Sequence, residues 1–359
     1  MKIQDKIGGA VIPDVLSPFG KKITSVEEWE KAREDVKKLL QEEEYGYIPE
    51  PPKSFSVEVL NENEKFLAGK TTLTKYRLTA QTESGEASFV FYSVLPKDKK
   101  QIPLFVHINF RDAIPDQYQP TEEIIDRGFG IFTVYYNDVT TDNGDFDNGI
   151  AKVLVKDRSH PHAPGKLALW AWAIMRVIDY VQTLPCYRPD ALAVIGHSRL
   201  GKTTLLTAAF DERVKFACAN DSGNSGDAVS RITEGERIFN ITKNFPYWFC
   251  PSYLKYVNNE DALPFDQHFL LALTVPRALV IGTAKNDEWA DPAAEYVALS
   301  LTDAVYSLYG KRGVSHTETI PDAKTVCDGE DAHFHIRHGN HYLSREDWNA
   351  YMDFIDSKI

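Results

Sequence analysis

Residues 191–210, ALAVIGHSRLGKTTLLTAAF, hold the motif on which the fold and the chemistry of this chain depend. An apolar, strand-like run is followed by a short polar turn and then by a helical stretch. One interpretation is a phosphate-binding loop, because Gly196 through Thr203 satisfy the pattern G-x-x-x-x-G-K-[ST]. The other is a strand–turn–helix elbow that presents Ser198 as a nucleophile at the edge of a sheet.

The composition narrows the class of protein. With 359 residues, of which 43% are hydrophobic, the chain is long and apolar enough to form a sizeable core. A formal net charge of −12 argues against nucleic acid as a partner, because binding phosphates requires a basic surface. No apolar run approaches the ~20 residues that cross a membrane, so no membrane association is expected.

The sequence predicts neither a cofactor nor a metal site. The four cysteines lack the C-x-x-C spacing of zinc sites, and Cys218 and Cys250 stand in apolar surroundings that predict buried thiols. The first residues, MKIQDKIGGAVIPDV, lack the apolar segment of a signal peptide, which predicts a cytoplasmic location.

The order of elements predicts an α/β protein. A helix is expected from Ser25 to about Glu44, with Ser25 and Glu28 forming a capping box. Strand-like runs follow at 54–60, 71–80, 87–96, 102–110, 131–136, 191–196, 215–220, 277–284 and 333–339. Helical stretches at 165–184, after Leu200, at 291–309 and from Ser344 alternate with the later runs.

This alternation favours the α/β-hydrolase fold, a doubly wound, mostly parallel sheet of about eight strands with an N-terminal helix and antiparallel strands. We expect one domain over 1–359, with a helical extension at 1–50 and an insert or lid at 222–275. In such sheets, ligands bind beyond the carboxyl ends of the strands.

The residues downstream favour the nucleophile interpretation of the motif. In this fold an acid follows a later strand and a histidine follows the last one, in the order Ser, acid, His. Asp287 comes directly after the run 277–284, and His341 lies between the run 333–339 and the last helix. The histidine accepts the serine proton, and the carboxylate holds its ring in the required tautomer.

Each of these positions has alternatives. Asp221 ends the run 215–220 and is a second candidate acid, whereas Asp291 reads as a helix cap before Pro292. His338 competes with His341 as the base. Two further histidines alternate along a strand and are expected to be paired structurally, namely His333 and His335. In the phosphate-loop alternative Asp221 would bind magnesium, but bulky residues in the loop oppose close wrapping of phosphate.

Gly196-His-Ser-Arg-Leu-Gly-Lys202 is similar to the G-C-S-R-x-G-K signature of the glucuronoyl esterases, carbohydrate esterase family 15, and their bacterial acetyl-xylan-esterase-like relatives. His197 stands in place of the signature cysteine. The resemblance continues over residues 220–226, 244–249, 264–268, 287–292 and 339–341.

The resemblance implies a serine esterase that acts on plant cell-wall sugars, and we expect an enzyme that needs no metal. It implies Ser198 as nucleophile and His341 as base, with the acid at either Asp221 or Asp287. The Arg199 backbone amide and guanidinium would bind the oxyanion, and Lys202 would bind sugar hydroxyls.

The residues themselves suggest further contacts with a substrate. Trp248, in the aromatic run 245–249, would either stack on a sugar or pack in the core, and Glu236 and Trp289 are further candidates for the pocket. The expected substrate is a small-molecule or oligosaccharide ester, either acetylated xylo-oligosaccharide or a glucuronate ester, cleaved through an acyl-enzyme. A general carboxylesterase or peptidase with the same triad is the alternative.

Overall fold

One β-sheet runs through the structure, a computed structural model that describes residues 1–97, 99–315 and 318–359. The described residues form ten strands: Ser54–Phe66 (β1), Thr71–Thr82 (β2), Gly85–Pro96 (β3), Leu104–Asn109 (β4), Gly130–Tyr135 (β5), Leu192–His197 (β6), Phe216–Asn220 (β7), Ala278–Ala284 (β8), Thr325–Asp328 (β9) and Ala332–Arg337 (β10).

The strand order is β1-β2-β3-β5-β4-β6-β7-β8-β10-β9. Strands β1, β2, β3 and β5 pair antiparallel, the run from β5 to β10 is parallel, and β9 pairs antiparallel with β10. The doubly wound, mostly parallel sheet with N-terminal antiparallel strands is confirmed. The described strands exceed the expected eight. The apolar pattern does not indicate β9, because this short edge strand alternates between exposed and covered residues.

Helices cover both faces of the sheet. The described α-helices are Ile3–Ile7 (α1), Val26–Leu40 (α2), Thr121–Asp126 (α3), Tyr136–Val139 (α4), Ala151–Leu154 (α5), Lys166–Val181 (α6), Arg199–Phe210 (α7), Ile238–Asn244 (α8), His268–Ala272 (α9), Pro292–Leu301 (α10), Asp303–Leu308 (α11) and Arg345–Asp356 (α12). Within the described ranges, none of them combines the length and apolar character that a membrane span requires.

Two hydrophobic cores explain why the central strands read as continuous apolar runs. Helices α2, α6, α7, α9, α10 and α11 pack on one face, and α3 and α12 pack on the other. Along β4, Leu104 and Val106 enter the first core while Phe105 enters the second. A strand covered on both faces needs apolar residues at every position.

Two predicted helices differ in detail from the structure. The helix expected at 25–44 ends as an α-helix at Leu40 and continues as a π-helix over Gln41–Tyr45. Ser25 caps it by accepting from the Glu28 N–H, but the Glu28 carboxylate accepts from the N–H of Thr24 at 2.9 Å instead of completing the box. The helix expected at 291–309 is divided at Thr302 into α10 and α11.

The N-terminal helix α1 docks beside the loop that follows β8. Lys6 Nζ lies 2.8 Å from Asp291 Oδ2 and 3.5 Å from Glu234 Oε1, and both the Lys6 and the Asp291 side chains are buried. Asp291 also caps α10, as predicted, by accepting from the Ala294 N–H. A cavity of about 640 Å³ lies between the N-terminal segment and this loop.

Candidate active site

The turn after β6 has the geometry of a nucleophile elbow. Ser198 has φ 58° and ψ −129°, a backbone conformation that residues with a side chain rarely adopt. The turn is tight, because a Cβ at Gly196 would lie 2.2 Å from the Leu200 carbonyl oxygen, and one at Gly201 would lie 2.9 Å from Ser222 Cβ. The small residues of the motif therefore allow the sharp turn that exposes Ser198.

The same contacts argue against the phosphate loop. Lys202 Nζ donates to the carbonyl oxygens of Ser222 and Asn224, the latter at 2.6 Å, and Thr203 Oγ1 donates to the Arg199 carbonyl at 3.1 Å. The lysine and the hydroxyl that would bind a nucleotide and its magnesium are thus bound to the protein's own backbone.

His341 and Asp287 meet at the edge of the sheet where Ser198 lies. Asp287 follows β8 and is buried, while His341 follows β10 and keeps 43% of its side chain exposed. His341 Nδ1 lies 2.5 Å from Asp287 Oδ2. When Nδ1–H donates to the carboxylate, Nε2 is left as the acceptor for a serine proton.

Asp221, the second candidate acid, is bound differently. Its Oδ1 accepts from the Ala284 N–H at 2.8 Å and from the Thr283 hydroxyl at 3.1 Å. Its Oδ2 is buried without a hydrogen-bond partner among the described residues; Arg337 Nη2 is 3.6 Å away. Burial, together with the charges of Asp287 and Asp347, raises the pKa of Asp221 well above its usual value. Of the two acids, the structure hydrogen-bonds Asp287 to His341.

Asp221, Asp287 and His341 are also close enough together to form a metal site. One ligand atom each from Asp221, Asp287 and His341 lies within 4.8 Å of the others, which makes them the group in the described ranges that could hold an ion. The short bond between His341 and Asp287 is also the contact that a catalytic acid–histidine pair requires.

Arg199 makes the contacts expected of a fixed cation beside the nucleophile. Its Nη1 pairs with Asp142 Oδ2, and its guanidinium lies 4.6 Å from the ring centre of Trp248 and 4.9 Å from that of Phe245. Its Nε is buried without a partner among the described residues. Arg199 is also the first residue of α7, where backbone N–H groups lack partners within the helix. The Arg199 backbone amide is therefore adjacent to Ser198, and Arg199 and Ser198 line the same cavity.

One cavity of about 200 Å³ gathers the candidates. Its walls include all the predicted site residues except Asp287: Ser198, Arg199, Lys202, Asp221, Glu236, Trp248, Trp289 and His341. Their catalytic and binding roles remain predictions. Glu236 and Trp248 lie in the predicted insert at 222–275, and Asp221 directly precedes it. The role of this insert as a lid also remains a prediction.

The two tryptophans of the pocket are placed very differently. Trp248 is 2% exposed, stacks on Phe245 with ring centres 4.0 Å apart, and donates from Nε1 to Asp142 Oδ1 at 2.7 Å. Of the two alternatives for Trp248, an open stacking face for a sugar and packing in the core, the structure favours packing, although Trp248 also lines the cavity. Trp289 is 51% exposed and offers such a face.

The polar pair of the pocket is buried. Lys202 Nζ lies 3.6 Å from Glu236 Oε2, and both side chains are at least nine-tenths covered. Lys202 therefore reaches the cavity from inside the loop that follows β7, held by the backbone and by Glu236.

His333 and His335 are paired structurally, as expected. His333 Nε2 lies 3.0 Å from His335 Nδ1, and His335 Nε2 lies 3.0 Å from Asp347 Oδ1, so this pair is bound within the sheet. His338 is exposed. His197, at the signature cysteine position, is buried against the His341 ring at 4.4 Å, and burial followed by the nearby His341 lowers the pKa of His197 to about 3.

Sequence reasoning missed Asp142 and Arg337. Asp142 accepts from Arg199, from Trp248 and, through its carbonyl, from the Tyr247 hydroxyl at 3.0 Å. It belongs to a loop, TTDNGDFDNG, in which several acids look alike, so no local signal distinguishes it. Arg337 is the last residue of β10, and its sequence context indicates only the polar end of a strand.

A serine elbow, a histidine–aspartate pair and an arginine at the helix start define a serine hydrolase of the α/β-hydrolase fold. The family model described as glucuronyl esterase, fungi, matches residues 79–310. Carbohydrate esterase MZ0003, from an unknown prokaryotic organism, is 30% identical over 96% of this chain and 89% of its own length.

Two further relatives carry more specific names. The 4-O-methyl-glucuronoyl methylesterase of Schizophyllum commune is 27% identical over 84% of this chain and 74% of its own. The solved structure of a glucuronoyl esterase from Solibacter usitatus, 28% identical, superposes with a TM-score of 0.90 over 99% of each chain. The protein belongs to the glucuronoyl esterase family and is a serine carboxylic ester hydrolase that acts on a carbohydrate ester.

Proposed function

We propose that the protein hydrolyses esters of glucuronic acid, with Ser198 as nucleophile, His341 as general base and Asp287 as the acid that orients it. The observation that carries this proposal is the 2.5 Å bond between His341 Nδ1 and Asp287 Oδ2 at the cavity into which the strained Ser198 elbow opens. Relatives named as 4-O-methyl-glucuronoyl methylesterases support the substrate class.

The proposed reaction is a double displacement. Ser198 Oγ attacks the ester carbonyl while His341 Nε2 takes its proton, and the carbonyl oxygen becomes an oxyanion. The Arg199 backbone N–H and guanidinium donate to that oxygen, and each such donor is worth roughly 3–4 kcal/mol in the transition state. The imidazolium then returns the proton to the leaving alcohol. Water, activated by the same histidine, releases the acid and restores Ser198.

The polar wall of the cavity favours a uronate over an acetyl group. In a glucuronate ester the acyl side is the sugar itself, so a ring with hydroxyl groups must fit beside Ser198. Glu236, with the Lys202 ammonium 3.6 Å behind it, supplies an acceptor there, and Trp289 supplies an exposed aromatic face. An acetyl ester would place only a methyl group on that side and would leave these groups unused.

The decisive experiment compares wild type with Ser198→Ala on a methyl glucuronate ester and on acetylated xylo-oligosaccharide. We expect Ser198→Ala to lower kcat at least roughly 10⁴-fold. Ser300→Ala is the matched control, because Ser300 Oγ donates to the Val297 carbonyl of its own helix at 2.8 Å and Ser300 does not line the cavity. Full activity in Ser198→Ala would contradict the proposed nucleophile. A higher kcat/KM on the acetylated sugar would contradict the proposed substrate.

A further inference from the structure

The buried guanidinium of Arg337 joins the loop that carries His341 to the rest of the site. Arg337 is the last residue of β10, and its side chain is 5% exposed. Nη1 donates to the His338 carbonyl at 3.1 Å, and Nη2 donates to the carbonyls of Asn340, at 3.2 Å, and Tyr342. The residues that supply these carbonyls flank His341 in the sequence.

Such a contact requires an arginine. The guanidinium has five N–H groups in a fixed plane, so one side chain can satisfy several carbonyls that point in different directions. The loop also closes tightly around it, because Gly339 has φ 121° and a Cβ there would lie 2.6 Å from Arg337 Nη1. A lysine ammonium would keep the charge but not the planar set of donors.

The other side of the guanidinium is held by acids. Nε donates to Asp347 Oδ2 at 2.7 Å, and the same oxygen accepts from the Ser344 N–H at 2.7 Å at the start of α12. Asp347 Oδ1 is bonded to His335. On the β7 side, Asp221 Oδ2 lies 3.6 Å from Nη2. Arg337 is therefore fixed from α12 and β7 while it holds the loop between β10 and α12.

We propose that Arg337 is a positioning residue for the general base, one that fixes the His341 loop in register with Asp287 and places a positive charge beside Asp221. This inference rests on the proposed function, since it assumes that His341 is the base. The charged and titratable groups that face this guanidinium are Asp347, Asp221 and Tyr351, with His335 behind Asp347 and the Asp287–His341 pair beyond Asp221.

The test compares Arg337→Lys and Arg337→Gln with the same changes at Arg277. Arg277 is a matched control because its guanidinium also holds backbone carbonyls, of Asp211 at 3.1 Å, Val214 at 2.8 Å and Ala208 at 2.7 Å. It precedes β8 and so lies at the amino end of the strands, away from the cavity. Both pairs of variants should lose stability, but only those at Arg337 should lose kcat.

We expect Arg337→Lys to lower kcat roughly 10²-fold with KM within threefold of wild type, because a misplaced base slows the proton transfer without removing substrate contacts. The acidic limb of kcat/KM should keep its position in Arg337→Lys, which retains the charge. It should move to higher pH in Arg337→Gln, because loss of a positive charge favours the imidazolium.

Three results would overturn the inference. One is a kcat for Arg337→Lys within threefold of wild type in a sample that thermal unfolding shows to be folded. Another is an equal loss of kcat in the Arg277 variants, and the third is the same pH limb in both Arg337 variants. If the Arg337 variants do not fold, Gly339→Ala displaces the guanidinium while keeping its pair with Asp347, and unchanged kcat there would refute the role. Retained activity in Ser198→Ala would instead refute the proposed function.

Discussion

The loops after β7 and β8 begin in the same way but place their aspartates in different environments. Each places an aspartate just beyond a buried strand at the same edge of the sheet, Asp221 after β7 and Asp287 after β8. Asp287 bonds to a half-exposed histidine, whereas the Asp221 carboxylate accepts from the Ala284 N–H and the Thr283 hydroxyl. The environment of each carboxylate, rather than its place in the strand order, thus distinguishes the two.

The interior beneath the β7 loop is crowded with acids. Burial, with the charges of Asp227 and Asp221, raises the pKa of Glu295 well above its usual value, and burial also raises the pKa of Asp227. Like charges in a dry environment favour protonation, so these acids are not suited to stabilise an imidazolium. The difference between the loops is therefore one of available negative charge beside His341.

The largest expected effect separates the two acids directly. Asp287→Asn should lower kcat roughly 10⁴-fold, because an amide no longer favours the required tautomer of His341. Asp221→Asn should lower kcat less than about tenfold, because it replaces a carboxyl whose charged form is already disfavoured. Steady-state kinetics on one glucuronate ester checks both. The assignment would be reversed if Asp221→Asn proved the more damaging change.

A second prediction concerns stability and uses the raised pKa of Asp221. A carboxyl whose pKa is raised in the folded state binds its proton more tightly there, so its contribution is fully present below the unfolded value of 3.8 and is lost as the pH rises toward the folded pKa. The free energy of unfolding of wild type relative to Asp221→Asn should therefore fall as the pH rises above 3.8. Urea titrations across this range measure it.

The control for that series has the opposite sign. The Arg188 hydrogen bond lowers the pKa of the exposed Asp190, whose contribution is present at neutral pH and is lost on acidification. The free energy of unfolding of wild type relative to Asp190→Asn should be small, and it should decrease at low pH. A pH-independent difference for Asp221→Asn would show that Asp221 is ionised throughout, which would weaken the contrast between the loops.

The smallest expected effect is that of metal removal. If Asp221, Asp287 and His341 bound a cation, the acids of both loops would act as metal ligands. In the proposed serine mechanism, Asp287 alone of the two acids orients His341. Incubation with EDTA followed by desalting should leave kcat within about twofold, since His341 must be free to accept a proton. A loss of activity that zinc restores would contradict the proposed mechanism.

Much of the fold was predictable, because strands covered on both faces leave continuous apolar runs and their chain order fixes the strand ends. Ser198, His341 and the two candidate acids follow from that order. The choice between Asp287 and Asp221 did not follow, since both stand at strand ends and only packing separates them. Arg337 and Asp142 could not be predicted from the sequence for a related reason. Their partners are backbone carbonyls and side chains that come together only in the folded chain.

The contact between α1 and the β8 loop matters for how this protein is handled in the laboratory. Lys6 lies 2.8 Å from Asp291, four residues beyond Asp287, and both partners are buried. Without Lys6, Asp291 would keep its bonds from the N–H groups of Glu234 and Ala294 but would lose the cation that faces it. Trimming residues 1–7 to obtain a shorter expression product would therefore loosen the segment that bears the acid.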